Sequence, residues 1–161
     1  MQARGQDRQA LTRRDAGPVG RGGGEVGEEV GEVAVPEELG SVRYLVDDVD
    51  AAVAFYAGRL GFVLGADARP ALAELVRGSL RLILSGPAST AGRPMPDGRR
   101  PAAGGWNRIH LVVDDLDAEV SRLRAAGVAF RNDVVSGPGG RQVLVEDPSG
   151  NPVEIFEPAG A

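Results

Sequence analysis

The chain has 161 residues, 42% of them hydrophobic, which suits one ordinary domain or two small repeats around a shared core. It has no cysteine, which excludes disulfides and thiolate metal sites and suits a reducing cytoplasm, and no apolar run approaches the roughly 20 residues of a membrane span. The net charge of −5, without basic clusters beyond the N-terminal segment, argues against nucleic acid as a partner.

Residues 1–39 are rich in Gly, Arg, Glu and Gln without apolar periodicity, and a disordered tail is expected there. No apolar stretch follows their basic residues, so a secretory signal is not expected either. Val42, Tyr44 and Val46 then alternate with Arg43 and Leu45 as in a strand. Asp48 is placed to cap a helix, and Val49, Val53, Tyr56 and Leu60 supply its apolar stripe. Gly61 should end that helix, because it can adopt a positive φ. Short strands are predicted near residues 62–65, 71–76 and 80–85, so residues 40–85 read β-α-β-β-β. Pro87, Pro94, Pro96 and Pro101 make residues 86–106 a linker. Trp106, at its end, is expected to pin the linker to the core in preference to serving as a lid over a cavity.

The same order then returns. A strand is predicted over residues 107–113, and Asp115 should cap a helix bearing Leu116, Val120 and Leu123 that closes at Gly127. Strands follow at residues 130–135, 141–146 and 153–157, the last two separated by the sharp turn Asp147-Pro148-Ser149-Gly150-Asn151-Pro152. The repeat is visible in the residues themselves: Val42-Arg43, Val46-Asp47-Asp48 and Asp50-Ala51 return as Ile109-His110, Val113-Asp114-Asp115 and Asp117-Ala118. The expected fold is α+β, with one βαβββ module over residues 40–85 and a second over residues 107–158.

His110 is the only histidine. Strand alternation turns His110 and Val112 away from the helix, and it does the same for Glu154 and Phe156. If these strands share a sheet, His110 and Glu154 meet on its concave surface. Such a pair offers two ligands to Zn²⁺, Ni²⁺, Mn²⁺ or Fe²⁺, a general base with its orienting acid, or a plain hydrogen bond. In the first module Arg43 stands in the place of His110. Aligning residues 78–84 with residues 150–156 puts Leu82 in the place of Glu154. Neither residue can ligate a metal. Arg43 is then expected either to pair with Glu154 across the cavity or to hold a ligand carboxylate or phosphate with its donors.

The runs at residues 42–60, Leu60-Gly61-Phe62, residues 110–117 and Asp147-Pro148-Ser149-Gly150-Asn151-Pro152-Val153-Glu154 resemble the vicinal oxygen chelate superfamily. That superfamily includes glyoxalase I, extradiol dioxygenases, and fosfomycin and bleomycin resistance proteins. The resemblance extends over residues 41–158. It implies two βαβββ modules in a curved, half-open barrel, commonly a homodimer, with metal-ligand positions at Arg43, Leu82, His110 and Glu154. Neither a four-ligand glyoxalase-like set nor a triad of two His and one Glu is complete here. The bleomycin-resistance-like members bind their ligand without a metal. The resulting expectation is a cofactor-free protein holding a small organic molecule among Arg43, Leu45, Leu82, Trp106, His110, Val112, Glu154 and Phe156. The alternative is a metal-dependent lyase, isomerase or dioxygenase that uses Fe, Ni, Mn or Zn through His110 and Glu154.

Overall fold

Each half of the fold starts with a strand that runs into a capping aspartate. Asp48 Oδ1 accepts from the Ala51 amide at 3.1 Å, and Asp115 Oδ1 accepts from the Ala118 amide at 2.8 Å, so both helices begin with an otherwise unpaired N–H satisfied. The computed structural model describes residues 40–160, and the tail expected over residues 1–39 lies outside them. The first module is β1 (Ser41–Leu45), α1 (Val49–Leu60), β2 (Val63–Ala68), β3 (Leu72–Arg77) and β4 (Leu80–Ser85). The second is β5 (Ile109–Val112), α2 (Leu116–Ala125), β6 (Ala129–Phe130), β7 (Val135–Gly137), β8 (Gly140–Glu146) and β9 (Pro152–Pro158).

The strands form two open sheets, ordered β1-β4-β3-β2 and β5-β9-β8-β6, with β7 paired to β8. The first and last strands of each module run parallel, because the helix carries the chain across the sheet. The predicted α+β arrangement of two βαβββ modules is therefore present, although the sheets do not close into a barrel. Val49, Val53, Tyr56 and Leu60 are buried on one side of α1, and Leu116, Val120 and Leu123 on one side of α2. Both sets belong to one apolar core shared by the modules. Gly61 ends α1 at φ 69°, and its amide reaches back to the last turn.

Two elements differ from expectation. The strand predicted over residues 130–135 is split, because Asn132 Oδ1 takes the Leu144 amide at 2.8 Å in place of a strand carbonyl. Trp106 does not anchor in the core. The residue is 70% exposed, with the Arg131 guanidinium 4.7 Å from the centre of its ring, an arrangement that holds an indole in water. The linker end is fastened through its backbone instead. The Gly104 amide donates to Asn151 Oδ1 at 2.7 Å, and Arg131 donates to the Gly105 carbonyl at 2.7 Å. No helix of the described residues is long and apolar enough to cross a membrane.

The turn between β8 and β9 joins the modules through a buried carboxylate. Asp147 Oδ1 accepts from the Ser149 and Asn151 amides, and Oδ2 accepts from Asn151 Nδ2 and the Tyr56 hydroxyl of α1. Tyr44 adds a second bridge, donating to the Pro152 carbonyl and accepting from the Ile109 amide. Burial holds both phenols protonated above the usual range, and the Asp147 charge adds to the effect. Replacing Asp147 with Ala leaves four donors without an acceptor and should cost about 3 kcal/mol or more in urea unfolding. Because the folded phenols ionise above their unfolded value, their contribution is complete below about pH 10 and is lost as the pH rises beyond it. The two tyrosines of the chain should therefore ionise only as the protein unfolds in alkali. Tyrosinate absorbance followed alongside circular dichroism checks this, and phenolate appearing in still-folded protein would contradict it.

Candidate functional site on the open sheet face

The parallel register of β5 and β9 sets His110 directly beside Glu154, on the face turned away from the core. Ile109, Leu111, Val153 and Ile155 point the other way and are buried. The His110 ring is about half exposed and lies against Phe156, with centroids 4.8 Å apart and planes tilted by 41°. Its Nε2 is 3.6 Å from Glu154 Oε1, which is too far for a hydrogen bond. The other oxygen, Oε2, accepts from Arg108 Nε at 2.6 Å. The Glu154 side chain is only 10% exposed, so this guanidinium is its principal counter-charge. Arg108 was missing from the sequence-derived site. The signal was available, since strand alternation through residues 107–113 puts Arg108 on the same face as His110 and Val112.

The first module departs from expectation in two ways. Arg43 does not pair with Glu154; its Nη1 donates to Ser85 Oγ, while Arg108 occupies the carboxylate. Nor does Leu82 correspond to Glu154. Arg43 pairs with Ile83 across β1 and β4, as His110 pairs with Glu154 across β5 and β9. Leu82 points into the core and is fully buried. The turn glycines used for the alignment are not equivalent: Ile83 is five residues after Gly78, whereas Glu154 is four after Gly150. A slip of one residue moves a side chain to the opposite face.

The expected lining residues do not share one cavity. Arg43, with Leu72, Ser89, Thr90 and Ala91, borders a space of about 390 Å³. Phe156 borders another of about 280 Å³, with Gln142 and the glycine-rich hairpin of β7 and β8. Leu45 lines a third, of about 190 Å³, beneath the linker. Linker residues 89–91 border the Arg43 space, and the β7–β8 hairpin borders the Phe156 space. A fourth space of about 340 Å³ lies between α1 and residues 126–129, on the helix side, and contains none of these residues. Trp106 lines none of the four, and Val112 is exposed on the His110 face.

Gly140 shapes the Phe156 space. At φ 144° it lies so close to β9 that a Cβ would sit 2.1 Å from the Glu157 carbonyl and 2.9 Å from the Phe156 ring. The hairpin can therefore pass over the ring only as bare backbone.

A divalent ion fits this donor set poorly. His110 and Glu154 give two ligands where catalytic sites use three, and Arg108 already engages one Glu154 oxygen. Among the described residues there is no group of three His, Cys, Asp or Glu able to hold a metal. Replacing Arg108 with Met would leave the Glu154 carboxylate without its hydrogen-bonded cation. It should destabilise the protein by about 1–3 kcal/mol, and adding Glu154→Gln should restore part of the loss. Urea unfolding of the two single variants and the double variant measures this; equal and additive losses would mean the pair is not coupled.

Comparisons with known proteins agree with this fold. The family described as Glyoxalase/Bleomycin resistance protein/Dioxygenase superfamily matches residues 38–155. Among solved structures the chain is similar to a lactoylglutathione lyase from Agrobacterium tumefaciens, with 26% identity over 76% of this chain and 94% of that one and a TM-score of 0.60. It is equally similar to TnmS3, an antibiotic binding protein from Streptomyces sp. CB03234, at 26% identity over 76% and 96% of the two chains and a TM-score of 0.59. A superfamily member from Sphaerobacter thermophilus shares 27% identity over 74% and 96%, with a TM-score of 0.61. No curated protein matches.

Proposed function

Because the chain belongs to the Glyoxalase/Bleomycin resistance protein/Dioxygenase superfamily, we propose that it binds a small organic molecule on the open sheet face without a resident metal. The observation that carries this reading is the Arg108 guanidinium on Glu154 Oε2. A fixed cation is already in place beside the carboxylate, so a metal ion would have to displace it against its own charge. The rest of the face suits a planar, largely apolar ligand. His110 and Phe156 offer ring surfaces, Val112 an aliphatic one, and the Gly137, Gly139 and Gly140 backbone borders the space without bulk. The similarity to an antibiotic binding protein supports the same reading. The exposed Val63 and Leu64 on edge strand β2 offer apolar surface to a second copy, and a homodimer is part of the proposal.

A lyase of the metal-dependent kind is the second reading, favoured by the similarity to lactoylglutathione lyase and by the adjacency of His110 and Glu154. One experiment separates the two. The purified protein is incubated in turn with Ni²⁺, Zn²⁺, Mn²⁺ and Fe²⁺, desalted and analysed for metal, and a panel of planar heteroaromatics is screened by saturation-transfer NMR. The binding reading expects far less than one ion per chain, with ligand contacts that weaken about tenfold in Phe156→Ala. Stoichiometric metal that is lost in His110→Ala would replace it with the lyase reading.

A further inference from the structure

We propose that the space beside Arg43 is a binding site for the carboxylate group of an organic acid. The inference deepens the ligand-binding reading but rests on different residues, in the other module. The duplication provides its own comparison. In the second module the slot across from His110 holds Glu154, and a guanidinium is neutralised there within the protein. In the first module the matching slot across from Arg43 holds Ile83, which carries no charge. The next position along the same row is Glu74, paired with Ile83 across β3 and β4. That carboxylate is already taken, because both of its oxygens accept from Arg81. Among the described residues no carboxylate pairs with Arg43, whose hydrogen bond goes to the neutral hydroxyl of the buried Ser85.

Arg43 is thus held in place by one of its nitrogens, while its other donors have no partner among the described residues. A guanidinium oriented in this way is matched by the two oxygens of a carboxylate, which can accept two parallel N–H bonds. The surroundings say what should be attached to that carboxylate. Arg43 borders a space of about 390 Å³ together with the apolar Leu72 and Ala91 and the hydroxyl-bearing Ser89 and Thr90. Ser89 is occupied within its own turn, donating to the Gly86 carbonyl and accepting from the Gly92 amide. Thr90 has no such internal bond among the described residues and is free to donate to a ligand oxygen. One cationic end, one hydroxyl and apolar walls suit a compact organic acid better than a bare inorganic ion.

Benzoate and benzamide, alike in shape and different in charge, test the proposal on the full chain by two-dimensional ¹H–¹⁵N NMR titration. Saturable shifts at residues 43, 72 and 89–91 are expected with benzoate, and binding about tenfold weaker with benzamide. Arg43→Gln should weaken benzoate to the level of benzamide, and Arg43→Lys should retain part of the affinity. Arg77→Gln, at the end of β3, should leave it unchanged. Equal binding of the two compounds, an unaffected Arg43→Gln variant of normal thermal stability, or no saturable benzoate shift would each overturn the proposal. Benzoate shifts confined to residues 135–142 and 156 would also overturn it, while leaving the ligand-binding reading of the second module standing. A negative heteroaromatic screen alongside Arg43-dependent benzoate binding would do the reverse.

Discussion

The arrangement depends on the buried carboxylate of Asp147. An ionised carboxyl among apolar side chains is costly unless its lone pairs are filled, and here four donors fill them. Three come from its own turn and shape the start of β9, while the fourth comes from α1 of the other module. Asn151 extends the same knot outward. Its amide nitrogen donates to the Leu45 carbonyl at the end of β1, and its oxygen receives the Gly104 amide of the linker. The positions of Arg43, two residues before Leu45, and Glu154, three residues after Asn151, both follow from this one junction. Motion in the turn would therefore displace both candidate sites at once.

The two modules share a backbone plan and differ in where they place charge. Parallel pairing of first and last strands gives each module a slot in which two side chains stand side by side on the open face. In one module the slot holds His110 and Glu154, with Arg108 closing the charge balance. In the other it holds Arg43 and Ile83, and the balance is left open. A buried ion pair contributes little net stability compared with an apolar pair of similar volume. The Arg108–Glu154 pair therefore fixes the direction of the Glu154 carboxylate more than it stabilises the fold.

Much of this was legible in the residues. The repeated aspartate caps, the helix stripes and the glycine at the end of α1 act locally, and local chemistry is what a sequence records most directly. The neighbourhood of His110 and Glu154 was also readable, because strand parity assigns faces once pairing is assumed. The failures have physical causes too. The equivalence of Leu82 with Glu154 rested on matching turn glycines, and turns of different construction deliver the following strand in a different phase. Asn132 broke a strand because a side-chain amide can imitate a backbone carbonyl, which composition does not reveal. Trp106 was assigned to the core by its hydrophobicity, but a facing guanidinium gives an indole a stable place in solvent. The expected Arg43–Glu154 pair gives way to a competitor: Arg108 immediately precedes β5, the strand paired with β9, and takes the carboxylate.

Charge, more than fold, decides what such a scaffold does. The backbone places paired open-face positions in each module whatever side chains they carry, so the same register can present metal donors, an internal ion pair or a lone guanidinium. A metal site draws anionic and neutral donors together around an added cation. Here the cation is covalently part of the chain, supplied by Arg108 in the second module and by Arg43 in the first. Built-in guanidinium groups cannot polarise a substrate as strongly as a divalent ion, but they orient anionic oxygen with two directed bonds. An open face furnished in this way supports the proposed recognition of a small molecule through directed hydrogen bonds.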